Sequence, residues 1–154
     1  MYRIMFVCHG NICRSPMAEF VFKDIVKKAG IEKDFIIKSS ATSTEEIGNP
    51  VHSGTRRRLA EEGISVSGKY AVQLTKKDYN IYDYIIGMED INIRKIKMIV
   101  GEDKENKVYK LLDFADGGNI ADPWYTGNFD ETYNDVLKGC RGLLEHILKL
   151  GGER

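Results

Sequence analysis

The chain has 154 residues, 42% hydrophobic and 30% charged, with Lys+Arg and Asp+Glu balanced at 23 each. This is one domain's worth of ordinary soluble globular protein, which excludes a disordered chain and argues against two domains. A formal net charge of +0 removes the cationic excess of nucleic-acid and anionic-membrane binders, so nucleic acid is not an expected partner and any phosphate is recognised locally.

Residues 2–7 form an apolar, β-branched run too short for a helix and read as a buried strand. Cys8-His9-Gly10-Asn11-Ile12-Cys13-Arg14-Ser15-Pro16 follows, with a turn at Gly10-Asn11 and a helix start in which Ser15 caps and Pro16 takes the first helical position. Ala18, Val21, Phe22, Ile25 and Ala29 then recur at helical spacing until Gly30. Residues 35–38 read as a second strand, 39–50 as a loop, 51–62 as a helix stopped by Gly63, and 82–86 as a third strand. Ile91, Arg94, Lys95 and Met98 mark another helix, and 107–110 is a weaker fourth strand. A polar, turn-rich stretch over 113–129 precedes a closing helix whose apolar side carries Phe129, Tyr133, Val136, Leu137, Cys140, Leu144, Ile147 and Leu148. Alternating strands and helices argue for an α/β layer fold with a mainly parallel sheet and helices on both faces. Ligands of such sheets sit beyond the carboxyl ends of the strands, which is where Cys8 stands.

Three cysteines are too few for a disulfide framework. No apolar run approaches the roughly 20 residues of a membrane span, and no signal-peptide pattern opens the chain. A cytoplasmic setting without membrane insertion is expected, where a cysteine is catalytic, redox-active or buried.

A tight loop between a strand and a helix can turn successive N–H groups inward as an anion nest, with the positive end of the helix dipole added. Arg14 at the helix start can grip two phosphate oxygens in a fork, and the same positive field favours Cys8 as a thiolate. A cysteine and an arginine at this spacing also arise by chance, so a second catalytic group is required. Asp122-Pro123 taken alone is more often a simple turn initiator.

The run from Phe6 through Cys8-His9-Gly10-Asn11-Ile12-Cys13-Arg14-Ser15-Pro16-Met17-Ala18-Glu19 resembles the signature of the low-molecular-weight protein tyrosine phosphatases. Further similarities run through Ser40-Ala41, Gly63-Ile64, Gln73-Leu74-Thr75, Tyr82-Asp83-Tyr84-Ile85 and Asp122-Pro123-Trp124, covering nearly the whole chain. The resemblance implies a single three-layer domain over 1–154, with a four-stranded parallel sheet flanked by helices and a phosphate-binding loop after the first strand. It implies that Cys8 attacks phosphorus, that Arg14 and the amides of His9, Gly10, Asn11, Ile12 and Cys13 hold the phosphoryl oxygens, and that Asp122 is the general acid and base. Ser15 would hydrogen-bond the thiolate, Asn11 with Ser40 would hold the loop's shape, and Ile12, Trp124 and Tyr125 would wall the phosphotyrosine pocket. Cys13 would be the redox partner of Cys8, against the reading of a small residue packed behind the loop. No metal or cofactor enters this scheme; the partners are a phosphotyrosine-containing protein and inorganic phosphate.

The chain departs from the family where Glu45 and Glu46 replace a frequent aromatic at the pocket rim, and where Lys69 and Val72 replace frequent His and Arg. Arg56-Arg57-Arg58 reads as a solvated face and Cys140 as a core residue. A thioredoxin-coupled arsenate reductase would need further redox cysteines, for which Cys140 is the sole candidate in the second half. A cysteine-phosphorylated sugar-transport component would not call for Arg14 with an Asp122 acid, and a non-catalytic phosphotyrosine-binding module would need neither nucleophile nor acid.

Overall fold

The computed structural model describes residues 1–152; the last two residues of the expected 1–154 domain lie outside them. Strands β1 (Tyr2–Cys8), β2 (Phe35–Ala41), β3 (Tyr84–Gly87) and β4 (Val108–Lys110) pair in parallel in the order β2-β1-β3-β4. Between and after them run α1 (Arg14–Lys28), α2 (Ser53–Ala60), α3 (Asp78–Ile81), α4 (Asp90–Val100), α5 (Pro123–Thr126) and α6 (Phe129–Gly152). The expected α/β fold with a four-stranded parallel sheet is therefore the observed one.

Strand β1 shows why the apolar run does not alternate with polar residues. Ile4, Phe6 and Cys8 belong to the core shared with α1 and α6, while Met5 and Val7 belong to the core under α4. A central strand covered on both faces must be apolar on both, and each fully buried Ile or Phe contributes about 1.5–3 kcal/mol. Phe6, Phe22 and Phe35 pack in sequence, the first pair tilted and the second edge-on, with ring centres 5.9 and 5.5 Å apart.

Several local expectations differ from what the fold requires. Helix α1 begins at Arg14 with Cys13 at its cap position, so Ser15 lies inside the first turn and is not the cap. The Ser15 hydroxyl is drawn instead into the loop beside Cys8. A polar residue followed by proline does start a helix further on, where Asp122 caps α5 by accepting from the Trp124 N–H at 3.0 Å and Pro123 takes the first position. Both α3 and α5 have four residues, too few to display a hydrophobic period. The side chains that mark α4 by spacing are mostly its outer face: Ile91 and Met98 are exposed, and Ile96 and Val100 are buried. Asn92 sets that rotation, its Oδ1 accepting from the N–H groups of Met88 and Glu89 at 2.9 and 3.1 Å. In α6, Leu143 is buried and Leu148 faces outward. Arg58 is not solvated; it pairs with Glu61, Glu62 and Asp130, and its guanidinium lies 4.0 Å from the Tyr133 ring centre.

Candidate active site

β1 delivers Cys8 at its carboxyl end, and the chain then reverses through Asn11, whose φ of 59° is left-handed and suits a short polar side chain. The loop's carbonyls are taken up by the surrounding segments. Those of Cys8, His9 and Ile12 accept from the N–H groups of Thr42, Ser43 and His52 at 3.0, 3.0 and 2.9 Å, and that of Cys13 accepts from Thr55 Oγ1 at 3.2 Å. Because the peptides are trans, each following N–H (His9, Gly10, Cys13 and Arg14) points the opposite way, away from those partners. The Ser15 N–H at the start of α1 approaches Cys8 Sγ at 3.4 Å. The thiol therefore lies at the positive end of α1, beside turned backbone donors.

Behind the sulfur runs a buried chain of hydrogen bonds whose direction can be read from its far end. Glu19, 3% exposed, accepts from Lys23 Nζ at 2.6 Å and from the Ser39 hydroxyl at 2.5 Å. Ser39, having given its proton away, accepts from Asn11 Nδ2 at 3.0 Å, and the same amide donates to Ser15 Oγ at 2.7 Å. The Asn11 carbonyl oxygen accepts from the Val72 N–H at 3.2 Å, which fixes the amide's orientation. The Ser15 proton is left for Cys8 Sγ at 3.0 Å or the Ser40 carbonyl at 3.4 Å. A carboxylate behind the loop thus fixes the direction of the chain and leaves the Ser15 hydroxyl proton free to point towards sulfur.

This arrangement corrects the expected partner of Asn11, which is Ser39 and not Ser40. Side chains alternate across a strand, so Ser39 turns towards α1 and Ser40 away; the Ser40 hydroxyl has no hydrogen-bond partner among the described residues. Lys69 closes the network from outside, donating to the Ser39 carbonyl at 2.8 Å and lying 3.6 Å from Glu19. Burial lowers the pKa of its ammonium, with Glu19 pulling the other way.

Arg14 is 2% exposed and is held at its far end. Its Nη1 bonds Glu89 and the Ile120 carbonyl, the latter at 2.9 Å, and its Nη2 lies 3.4 Å from Asp122 Oδ2. Asp122, anchored by capping α5, is thereby brought to the loop from more than a hundred residues away. Cys8, Arg14, Asp122, Ile12, Trp124 and Tyr125 line one pocket together with His9, Gly10 and Cys13, whereas Asn11, Ser15 and Ser40 stand behind it. Glu45 and Glu46 also line that pocket, in the segment where the sequence departs from the family it resembles.

Sequence reasoning missed Glu89, Glu19 and Ser39. Glu89 follows the third strand, a position that faces the same sheet edge as Cys8, and Glu19 lies one turn beyond Ser15 on α1. Both could have been sought as counter-charges for a buried arginine and a polar loop.

Cys13 packs with Ile12, Ala71 and Phe129. Its thiol is pushed up to about 12, first by burial and then by Cys8 and Asp122, so it rests neutral. Cys140 is fully buried on α6, and burial raises its thiol as well. Of the histidines, His9 meets Glu45 at 3.0 Å, His52 caps α2 through Nδ1 at 3.0 Å, and His146 packs on Phe114.

A family model described as low molecular weight phosphotyrosine protein phosphatase matches residues 3–151. Low molecular weight protein-tyrosine-phosphatase YfkJ of Bacillus subtilis is 41% identical over 152 residues, 97% of either chain. Its crystal structure superposes with a TM-score of 0.93, covering 97% of this chain and 96% of that one. The phosphatase PtpA of Staphylococcus aureus is 35% identical over 97% of this chain and 96% of its own. The crystal structure of the low molecular weight protein tyrosine phosphatase SP-PTP from Streptococcus pyogenes gives a TM-score of 0.85 at 45% identity, covering 95% and 93% of the two chains.

Proposed function

The chain belongs to the low molecular weight protein tyrosine phosphatase family, and on that premise we propose that it hydrolyses protein phosphotyrosine through a phosphocysteine intermediate. The observation that carries this reading is the convergence of Cys8, Arg14 and Asp122 on one pocket walled by Ile12, Trp124 and Tyr125.

In the first step the Cys8 thiolate attacks phosphorus, the bond from phosphorus to the tyrosyl oxygen breaks, and the carboxylic proton of Asp122 goes to that oxygen. A phenolate leaves poorly near neutral pH, since phenols hold their proton to about pH 10. Arg14 and the loop N–H groups take the equatorial oxygens as charge builds on them. In the second step Asp122 takes a proton from water, the water oxygen attacks phosphorus and the sulfur leaves as a thiolate that accepts the Ser15 hydroxyl. Phosphate departs and competes with fresh substrate for the same donors. Glu89 and the Ile120 carbonyl occupy Arg14 Nη1, which holds the guanidinium in place for this work. The rival arsenate reductase reading lacks support in the fold, because Cys140 is buried against α1 with its sulfur 3.8 Å from the Ala18 carbonyl.

Hydrolysis of para-nitrophenyl phosphate in the presence of a metal chelator is the test. We expect turnover that vanishes in Cys8→Ser, and an Asp122→Ala variant that slows poor leaving groups by about 10²- to 10⁴-fold and good ones far less. Activity surviving in Cys8→Ser overturns the nucleophile, and equal slowing across leaving groups overturns the acid.

A further inference from the structure

The mouth of the pocket is lined by two unlike pairs of side chains. Two carboxylates, Glu45 and Glu46, come to it from the loop after β2, and two aromatics, Trp124 and Tyr125, come from α5. Both aromatics are largely exposed, at 57% and 84%, and exposed rings beside a pocket are an independent mark of a surface that receives a ligand. The carboxylates are held in place. Glu45 is bonded to His9 at 3.0 Å, and the stem of Glu46 lies over Gly10 so closely that a Cβ on that glycine would stand 3.3 Å from Glu46 Cγ. Asn49 fixes the Glu46 carboxylate from behind. The cation at the floor, Arg14, is committed to Glu89, Asp122 and the phosphoryl group, so it does not neutralise the rim.

Resting on the phosphatase reading of this pocket, we propose that Glu45 and Glu46 select phosphotyrosine flanked by basic residues, arginine above all. With the phosphotyrosyl ring inside, the neighbouring residues of the peptide cross this mouth. An arginine there can pair with a carboxylate through its fork and lay its plane on Trp124 or Tyr125. A flanking aspartate meets like charge and gains nothing from the ring faces.

The experiment compares kcat/KM for three peptides that differ only in carrying Arg, Ser or Asp on both sides of the phosphotyrosine, with para-nitrophenyl phosphate alongside. At low ionic strength the order is Arg, Ser, Asp, with about five- to tenfold between the ends, the size expected of exposed ion pairs. The span narrows in 0.5 M NaCl as such pairs are screened, and it collapses towards unity in the Glu45→Gln, Glu46→Gln double variant. Each ratio is taken within one protein, so a change in the chemical step cancels. Equal rates for all three peptides, an inverted order, or a span that survives the double variant overturns the proposal while leaving the phosphatase standing. Failure to turn over para-nitrophenyl phosphate as well overturns the phosphatase reading, and the selectivity with it.

Discussion

Ser39 and Ser40 are adjacent, chemically identical and both 1% exposed, yet they have opposite fates. Ser39 lies between Glu19 and Asn11 and passes the orientation of one to the other; the Ser40 hydroxyl has no partner among the described residues. Removing the Ser39 hydroxyl leaves a buried amide proton and a buried carboxylate oxygen short of a partner, at a cost of about 1–3 kcal/mol. It also frees Asn11 to turn away from Ser15. Ser39→Ala is therefore expected to lower both the urea midpoint and kcat, whereas Ser40→Ala should stay within about 0.5 kcal/mol of the parent. The reverse ranking in urea melts would show that the direction of the network has been misread. At this scale Cys8 and Arg14 were legible from a contiguous motif at a helix start, and Asp122 only through the family resemblance, since Asp-Pro alone reads as a turn. Which of two neighbouring serines supports them was not, because that depends on which face of β2 meets α1.

Elements were legible in proportion to their length. α1 and α6 show themselves by period, whereas the rotation of α4 and the turn after it follow from side-chain to backbone bonds. Asp103, between α4 and β4, illustrates such a bond set. Its carboxylate accepts from Tyr79 Oη at 2.7 Å and from the N–H groups of Lys107 and Val108 at 2.8 and 3.1 Å, fixing the entry to the edge strand. Burial works to raise its carboxyl, but these donors outweigh it and hold the group below its ordinary 3.8. A carboxylate depressed on folding stabilises the protein above its unfolded value, and that stability is lost as pH falls through the folded one. Asp103→Ala should thus cost about 1–3 kcal/mol at neutral pH, with the gap from the parent closing below about pH 4. A gap that stays constant into acid, measured by denaturant melts at several pH values, would show that the carboxylate's charge is not what holds this turn.

Across the whole molecule, α6 packs so tightly on the segment after β4 that glycine is a spacing requirement. A Cβ on Gly142 would lie 2.0 Å from the Phe114 carbonyl oxygen. In an open helix, glycine to alanine gains about 1 kcal/mol; here the overlap reverses the sign, and Gly142→Ala should destabilise by about 1–3 kcal/mol. A rise in Tm would contradict the close approach. The sequence by itself determined the order of the strands and the longer helices, the place of Cys8 at the end of β1 and the family, because hydrophobic period and a contiguous loop motif are local properties of a chain. Only the tertiary structure decided that Asp122 meets Arg14, that Glu89 braces it, that Ser39 supports the loop and that Glu45 and Glu46 guard the mouth. Those partners lie far apart along the chain, and they come together only because parallel strands buried on both faces bring their carboxyl ends, and the loops beyond them, to one edge of the sheet.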